Sequence, residues 1–350
     1  MHLGQAQHGG KTKGTWHRQG LLHPRQRVTV MPTTGGQFRL HQRQSPGWFS
    51  PVYEELYSSW ARHAPDGQRY LFPEALDDPV QKCISIGDGR VARFTLYPHR
   101  AECLQRTPKG DRCQALPRVT TRDLALRLIP RPVPYARYQG LLVTDTDEPQ
   151  RMDTRRLTLC LLFAQALGYG WMVMFNKGGM TKNRFHAQFF KETTPLFDAI
   201  ESNRLTVAAR HAVGDGTVSA RVVGWPVETS LLVGTSASNL ARSVIALCDE
   251  LEASRLTYDL AFRYSGSALC ALVLWRKLTA MDHLKITNET VKNLGSLGTL
   301  ELSGWVVSIG DPAMFMKLMA APSTLAGVYL RALREVTATG DAGRGEESLR

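Results

Sequence analysis

The sequence predicts an α+β fold in which two half-domains, each a group of short strands plus a helix, surround one core. Three observations predict it. Two hairpin turns, Gly87-Asp88-Gly89 and Gly214-Asp215-Gly216, each separate apolar runs of strand length. Two stripes at helical spacing follow, one through Leu157, Leu161, Leu162 and Ala166, the other through Leu240, Val244, Ile245, Cys248 and Leu251. Behind each stripe lies a pair of apolar strands: Trp171–Phe175 with Asn183–Phe189, and Thr257–Arg263 with Leu269–Trp275.

In chain order, residues 1–45 are polar, basic and rich in Gly, Gln and His. They read as a disordered basic arm, or as translated sequence upstream of a start at Met31. The first half-domain is expected over 46–200, the second over 201–336, and a loose tail over 337–350. Pro51–His63 has helical spacing through Val52, Leu56 and Trp60. Gln81–Leu104 is expected to be extended on both sides of its turn, and 105–120 to be a polar loop. Leu128–Pro134 is extended because each proline disfavours helix in the residue before it, and Gly140–Val143 is a short strand. The helix over Arg151–Leu167 stops at Gly168 and Gly170. Thr193–Ser202 is a short helix, and Ser236 or Ser238 caps the second long one.

Charge and cysteine narrow the function classes. The formal net charge is +12, yet residues 1–53 hold no acid and carry Lys11, Lys13, Arg18, Arg25, Arg27, Arg39 and Arg43. The rest is therefore only mildly basic, which suits an anionic nucleotide and makes nucleic acid a poor expectation. Cysteines show no paired short spacing, and Cys103, Cys113 and His99 are too loosely spaced to argue a metal site. Leu157–Phe175 lacks charge, but Gln165, Gly168, Tyr169 and Gly170 divide it into a helix and a strand rather than a membrane span. The amino terminus lacks the apolar stretch of a signal peptide. The expected compartment is the reducing cytoplasm, and the oligomeric state is not legible.

Chemistry concentrates in Trp171–Phe190. The strand Trp171–Phe175 runs into the turn Asn176-Lys177-Gly178-Gly179, whose backbone N–H groups can approach phosphate oxygens closely. In the next strand, alternation puts Arg184, His186 and Gln188 on one face and Phe185, Ala187 and Phe189 on the other. Imidazole is a competent nucleophile near neutral pH, and a covalent intermediate divides one difficult displacement into two easier ones. An arginine in the same row can neutralise the transferring group.

These residues carry a family resemblance. N-x-G-G followed by N-x-x-H-x-Q, here Asn176 to Gln188, resembles the histidine-triad superfamily. The likeness is to its branch of GDP-hexose phosphorylases, diadenosine tetraphosphate phosphorylases and galactose-1-phosphate uridylyltransferases. There the motif reads H-x-H-x-Q, so His186 matches the nucleophile, Gln188 the phosphate partner, and Arg184 stands in the first histidine's place. Arg100 matches the substrate-facing arginine ending an upstream strand. Leu128–Val143 is similar to the "N-P-x-P … H-x-L-L-I-P" segment, with Ile129 for asparagine and Gly140 for histidine. Thr257–Arg263 resembles "Y-N-L-L" and Leu300–Gly304 resembles "a-L-E-x-x-G". The resemblance spans about residues 80–320 and implies one continuous antiparallel sheet with packed helices, shared by the two halves.

The activity it implies is a nucleotidyltransferase of the phosphorylase type. A GDP-hexose or a dinucleoside polyphosphate binds, His186 attacks the α-phosphorus, and phosphate or a sugar phosphate takes the nucleotidyl group. Gln188, Asn176, Gly178, Gly179, Asn183 and Arg184 are expected to hold the substrate, with Lys182 and Arg100 as further cations. No protein-bound cofactor or metal is expected; the one metal considered is a magnesium ion carried by the nucleotide. The competing expectations are a non-catalytic nucleotide binder or sensor on the same scaffold, motivated by Arg184, and a nucleic-acid-processing member, motivated by charge.

Overall fold

A computed structural model of the chain describes residues 37–62, 73–106, 117–146, 148–177, 184–214, 216–277, 297–307 and 312–337, all within one compact unit. Strand β1 (Gln37–Arg39) precedes helix α1 (Ser50–Arg62). The hairpin β2 (Val80–Ser85) and β3 (Val91–Leu96) follows, then α2 (Arg100–Arg106), β4 (Arg118–Thr120), β5 (Ala125–Pro130) and β6 (Gly140–Val143). Helix α3 (Thr154–Leu167) leads into β7 (Met172–Asn176), β8 (His186–Phe190) and α4 (Pro195–Glu201). Next come β9 (Thr206–Ala212), β10 (Val218–Val223), β11 (Thr229–Gly234), α5 (Ala237–Ala253), β12 (Leu256–Tyr264) and β13 (Leu269–Lys277). The chain finishes with α6 (Thr299–Leu302), β14 (Trp305–Val307), α7 (Pro312–Ala320) and α8 (Pro322–Val336).

Eleven of these strands form one sheet in the order β1-β4-β5-β6-β8-β7-β12-β13-β11-β10-β9. Every neighbouring pair is antiparallel except β1 and β4. The order is a palindrome about its middle. Strands β5, β6, β8 and β7 with helix α3 repeat as β10, β11, β13 and β12 with helix α5. The two copies meet where β7 pairs with β12, Asn176 opposite Asp259 and Val173 opposite Phe262. The fold is thus the α+β arrangement that the helical stripes and hairpin turns anticipate.

Each face of the sheet has its own cover. Helices α3 and α5 lie against each other and against β12 and β13. Asp153 caps α3 by accepting from Arg156 N–H, and Ser236 caps α5 by accepting from Asn239 N–H. On the opposite face Met172, Met174, Phe190, Ala261 and Leu272 share a core with Phe94, Trp305, Phe315 and Tyr329. Those last residues come from the small sheet β14-β3-β2 and from α7 and α8. Among the described residues no single helix is long and apolar enough to cross a membrane.

Three expectations change. Residues 37–45, assigned by composition to a disordered arm, are ordered. Strand β1 pairs with β4, Phe38 packs on Phe49 with ring centroids 4.8 Å apart, and Leu40 is buried. Two apolar residues among many polar ones suffice once β4 offers an edge. The extended stretch stops at Leu96 rather than at Leu104. Arg100 N–H donates to Tyr97 carbonyl (3.2 Å) and Cys103 N–H to His99 carbonyl (3.1 Å), so the turn around Pro98 winds into α2. Arg100 therefore opens a helix instead of ending a strand. Within the loop expected over 105–120, residues 118–120 are strand β4. Residues 1–36 and 338–350 lie outside the described set.

Candidate active site at the histidine strand

Strand β8 begins at His186, and its side chains alternate as the sequence requires. Phe185, Ala187 and Phe189 are fully buried. Phe189 packs on Phe163 and Tyr53 with centroids 4.9 and 4.8 Å away. His186 and Gln188 are half-buried on the other face. The His186 Nδ1 lies 2.8 Å from the Arg184 carbonyl oxygen. A carbonyl only accepts, so Nδ1 carries the proton and Nε2 keeps the lone pair. That is the tautomer a nucleophilic imidazole needs.

The backbone of His186 is held by a side chain that the sequence reading missed. Strands β7 and β8 pair from Met172/Phe190 to Met174/Gln188. Beyond that point the buried amide of Gln150 takes over. Its Oε1 accepts from His186 N–H (2.8 Å), and its Nε2 donates to the carbonyls of His186 (2.9 Å) and Asn176 (3.0 Å). A side chain thus replaces the ladder where the strands part.

Gln188 is fixed in the same manner. Its Oε1 accepts from the Tyr135 hydroxyl and from Gln139 Nε2 (3.2 Å). Gln139 is buried, and its own Oε1 accepts from Tyr135 N–H (2.9 Å). With the oxygen end engaged, the NH₂ end of Gln188 is the one that can donate to a phosphate. Beside this relay stand two cations. Arg131 lies over the Tyr135 ring at 5.1 Å and Arg100 at 5.9 Å. Burial, reinforced by the charge of Arg131, lowers Arg100 to about 10. Glu301 accepts from Gly298 N–H (2.9 Å), and burial pushes its carboxyl up to about 8.

The other expected residues divide. Asn176 ends β7, but its Oδ1 accepts from Thr299 N–H (2.9 Å) and from the Thr299 hydroxyl. It ties β7 to α6, so only its Nδ2 could serve a ligand. Arg184 donates to the Thr144 carbonyl at 3.5 Å. Gly178, Gly179, Lys182 and Asn183 lie outside the described residues. Among the described residues no cluster of three or more His, Cys, Asp or Glu could hold a metal. A cavity of about 600 Å³ lined by Tyr138, Tyr169, Lys191 and Arg263 lies beyond the far end of β8, and none of the expected residues lines it. Arg131, Tyr135 and Gln139, in the loop before β6, and Gln150, in the loop after it, were missed because single polar residues in loops carry no period; only burial and bonding reveal them.

The arrangement of sheet and helices is one already seen among solved structures. The chain is similar to the crystal structure of yeast Ap4A phosphorylase Apa2, with a TM-score of 0.54 and 12% identity over 82% of this chain and 96% of that one. The same enzyme in complex with AMP aligns at 0.53 and 12% identity, covering 83% and 98% of the two chains. In complex with Ap4A it aligns at 0.53 and 13%, covering 80% and 96%. At such identities the likeness is one of fold, and it agrees with the resemblance carried by the histidine motif. No protein-family model and no curated protein matches the sequence.

Proposed function

We propose that the protein is a nucleotidyltransferase of the phosphorylase type. Its substrate is a dinucleoside polyphosphate or a nucleoside diphosphate hexose of the GDP-hexose kind. His186 Nε2 attacks the α-phosphorus, the remaining phosphates leave, and phosphate or a sugar phosphate then takes the nucleotidyl group from the ring. The observation that carries this is the 2.8 Å contact from His186 Nδ1 to the Arg184 carbonyl. The same contact keeps the proton on Nδ1 while the P–Nε2 bond forms and breaks, so no separate base is needed for the attack. Gln188 NH₂, Asn176, Arg184 and the Gly178-Gly179 backbone hold phosphate oxygens, with Asn183, Lys182 and Arg100 adding polar and positive groups around them. Magnesium enters as a cation carried by the nucleotide. Half-exposed Ile129 and Leu141 pair across β5 and β6, and Leu141 lies opposite Gln188. They give an apolar floor beside the phosphate site that suits a ribose or base. The likeness in fold to a dinucleoside polyphosphate phosphorylase favours that substrate class for the first assay.

The test is a screen of dinucleoside polyphosphates and nucleoside diphosphate sugars with inorganic phosphate, read by product mass, with acid-quenched capture of the labelled protein. Wild-type protein is expected to yield an adduct on His186. His186→Asn and His186→Ala are expected to fold normally and lose turnover by at least a thousandfold. Undiminished turnover in either variant removes the nucleophile; tight nucleotide binding with neither adduct nor turnover makes the protein a binder or sensor instead.

A further inference from the structure

Two guanidinium groups converge on the tyrosine that holds Gln188. Arg131 and Arg100 both lie over its ring, and Arg100 is only 5% exposed. The Arg100 Nε is buried without a hydrogen-bond partner, and among the described residues no carboxylate forms an ion pair with either arginine. Other buried or half-buried arginines do meet an acid: Arg263 with Glu201, Arg276 with Asp259, Arg127 with Asp145. Two like charges brought together away from water are unfavourable until an anion joins them. The acid acting on Arg100, Glu301, is itself held toward its neutral form by burial and by Asp259, so it offsets little of that charge near pH 7.

The position of the pair gives the anion its chemistry. The Tyr135 hydroxyl donates to Gln188, and Gln188 lies two residues from His186 on the same strand face, about 6–7 Å along β8. An anion resting on these guanidinium groups is thus linked, through Tyr135 and Gln188, to the strand that carries His186. The geometry points to a phosphate-class subsite on Arg100 and Arg131 that holds the phosphate adjoining the transferred nucleotidyl group. This rests on the nucleotidyl-transfer reading. In the first half-reaction the Nε2–P bond forms, the P–O bond to the leaving phosphates breaks, and the departing oxygen takes the electron pair. In the second, an oxygen of the incoming phosphate bonds to phosphorus and the P–N pair returns to Nε2. One subsite can serve both steps, because leaving and incoming phosphates pass through the same in-line position.

Inorganic phosphate and tripolyphosphate are titrated calorimetrically into full-length His186→Asn protein carrying Arg131, Arg131→Gln or Arg131→Lys. Arg131 is half-buried, which makes it the safer arginine to change. Binding at least tenfold weaker with Arg131→Gln, partly recovered by Arg131→Lys, supports the subsite. Affinities within twofold of one another, or no phosphate binding with Arg131 intact, overturn it. This measurement needs no adduct, so it succeeds or fails apart from the nucleophilic role of His186. In the active protein, Arg131→Gln separates the two sources. A raised KM for phosphate with normal adduct formation assigns the incoming phosphate, whereas slowed adduct formation assigns the leaving ones. Both unchanged again overturns the proposal.

Discussion

Gln188 and Gln150 are both amides at β8, and the bonds they make give them opposite tasks. Gln150 spends its oxygen and its nitrogen on the backbone of His186 and Asn176, so it shapes the strand. Gln188 has its oxygen tied by Tyr135 and Gln139, so its nitrogen can serve a ligand. Tyr135→Phe leaves the ring under the two arginines and removes one donor from Gln188. A net hydrogen bond contributes about 0.5–1.5 kcal/mol, so kcat/KM should fall roughly threefold to tenfold, with the melting temperature lowered by no more than about 2–4 °C. Steady-state kinetics against any substrate found in the screen checks this, and an unaltered kcat/KM would mean the relay does not orient Gln188. The legible part of the site was the part with a period. His186 and Gln188 announce themselves by alternating with Phe185, Ala187 and Phe189 on a strand. Tyr135, Gln139 and Gln150 act through partners far off in sequence, between 36 and 53 residues away for their bonds to β8, and nothing local marks them.

At the scale of elements, β6 explains a departure from the resembling family. That family carries a histidine where this chain has Gly140. A Cβ added there would stand 2.5 Å from Phe189 Cζ and 2.5 Å from the Tyr53 hydroxyl oxygen. The aromatic cluster of α1, α3 and β8 fills the space that a side chain would take, and the departure is a repacking of one layer. Gly140→Ala should cost about 1–3 kcal/mol through overpacking, read as a lower denaturant midpoint with an unchanged slope. Stability equal to wild type would show that Tyr53 and Phe189 yield without strain. The end of helix α3 at Gly168 was readable because its signal is local, whereas its start at Thr154, behind the cap Asp153, lies three residues past the expected Arg151. Gly168 has φ +85°, and its missing side chain lets Gly47 approach, with a built Cβ only 2.6 Å from Gly47 Cα. Strand β1 and helix α2 were misread for a common reason. Each is too short to show a period; β1 depends on the edge that β4 offers, and α2 on the turn at Pro98 just before it.

Across the whole molecule, the mirrored strand order places matching architecture on both sides of the β7–β12 seam, yet the proposed nucleophile and its partner Gln188 lie on one side. On the face shared with His186 and Gln188, the second copy presents Leu272 and Leu274, buried in the core beneath the small sheet. One copy therefore holds the proposed site while the other is packed into the core, and the proposal requires the seam to stay closed. A buried ion pair lies at that seam: Arg276 Nη1 donates to Asp259 Oδ2 at 2.9 Å and to the Leu297 carbonyl at 2.6 Å, with Asp259 and Arg276 both 0% exposed. Asp259 sits opposite Asn176, the residue that reaches Thr299. Seam, α6 and the end of β7 are thus one bonded unit within two strands of His186. Removing one member of a buried pair typically costs about 3–5 kcal/mol, because the remaining charge is left uncompensated. Asp259→Ala should lower the unfolding midpoint by an amount of that order. Because the sheet is continuous, the loss should appear equally in tryptophan fluorescence, which reports Trp171 in the first copy and Trp225 and Trp275 in the second, and in far-ultraviolet dichroism. Two separated transitions in the wild type would mean that the halves fold independently, and the second could not then be the support on which the histidine strand depends.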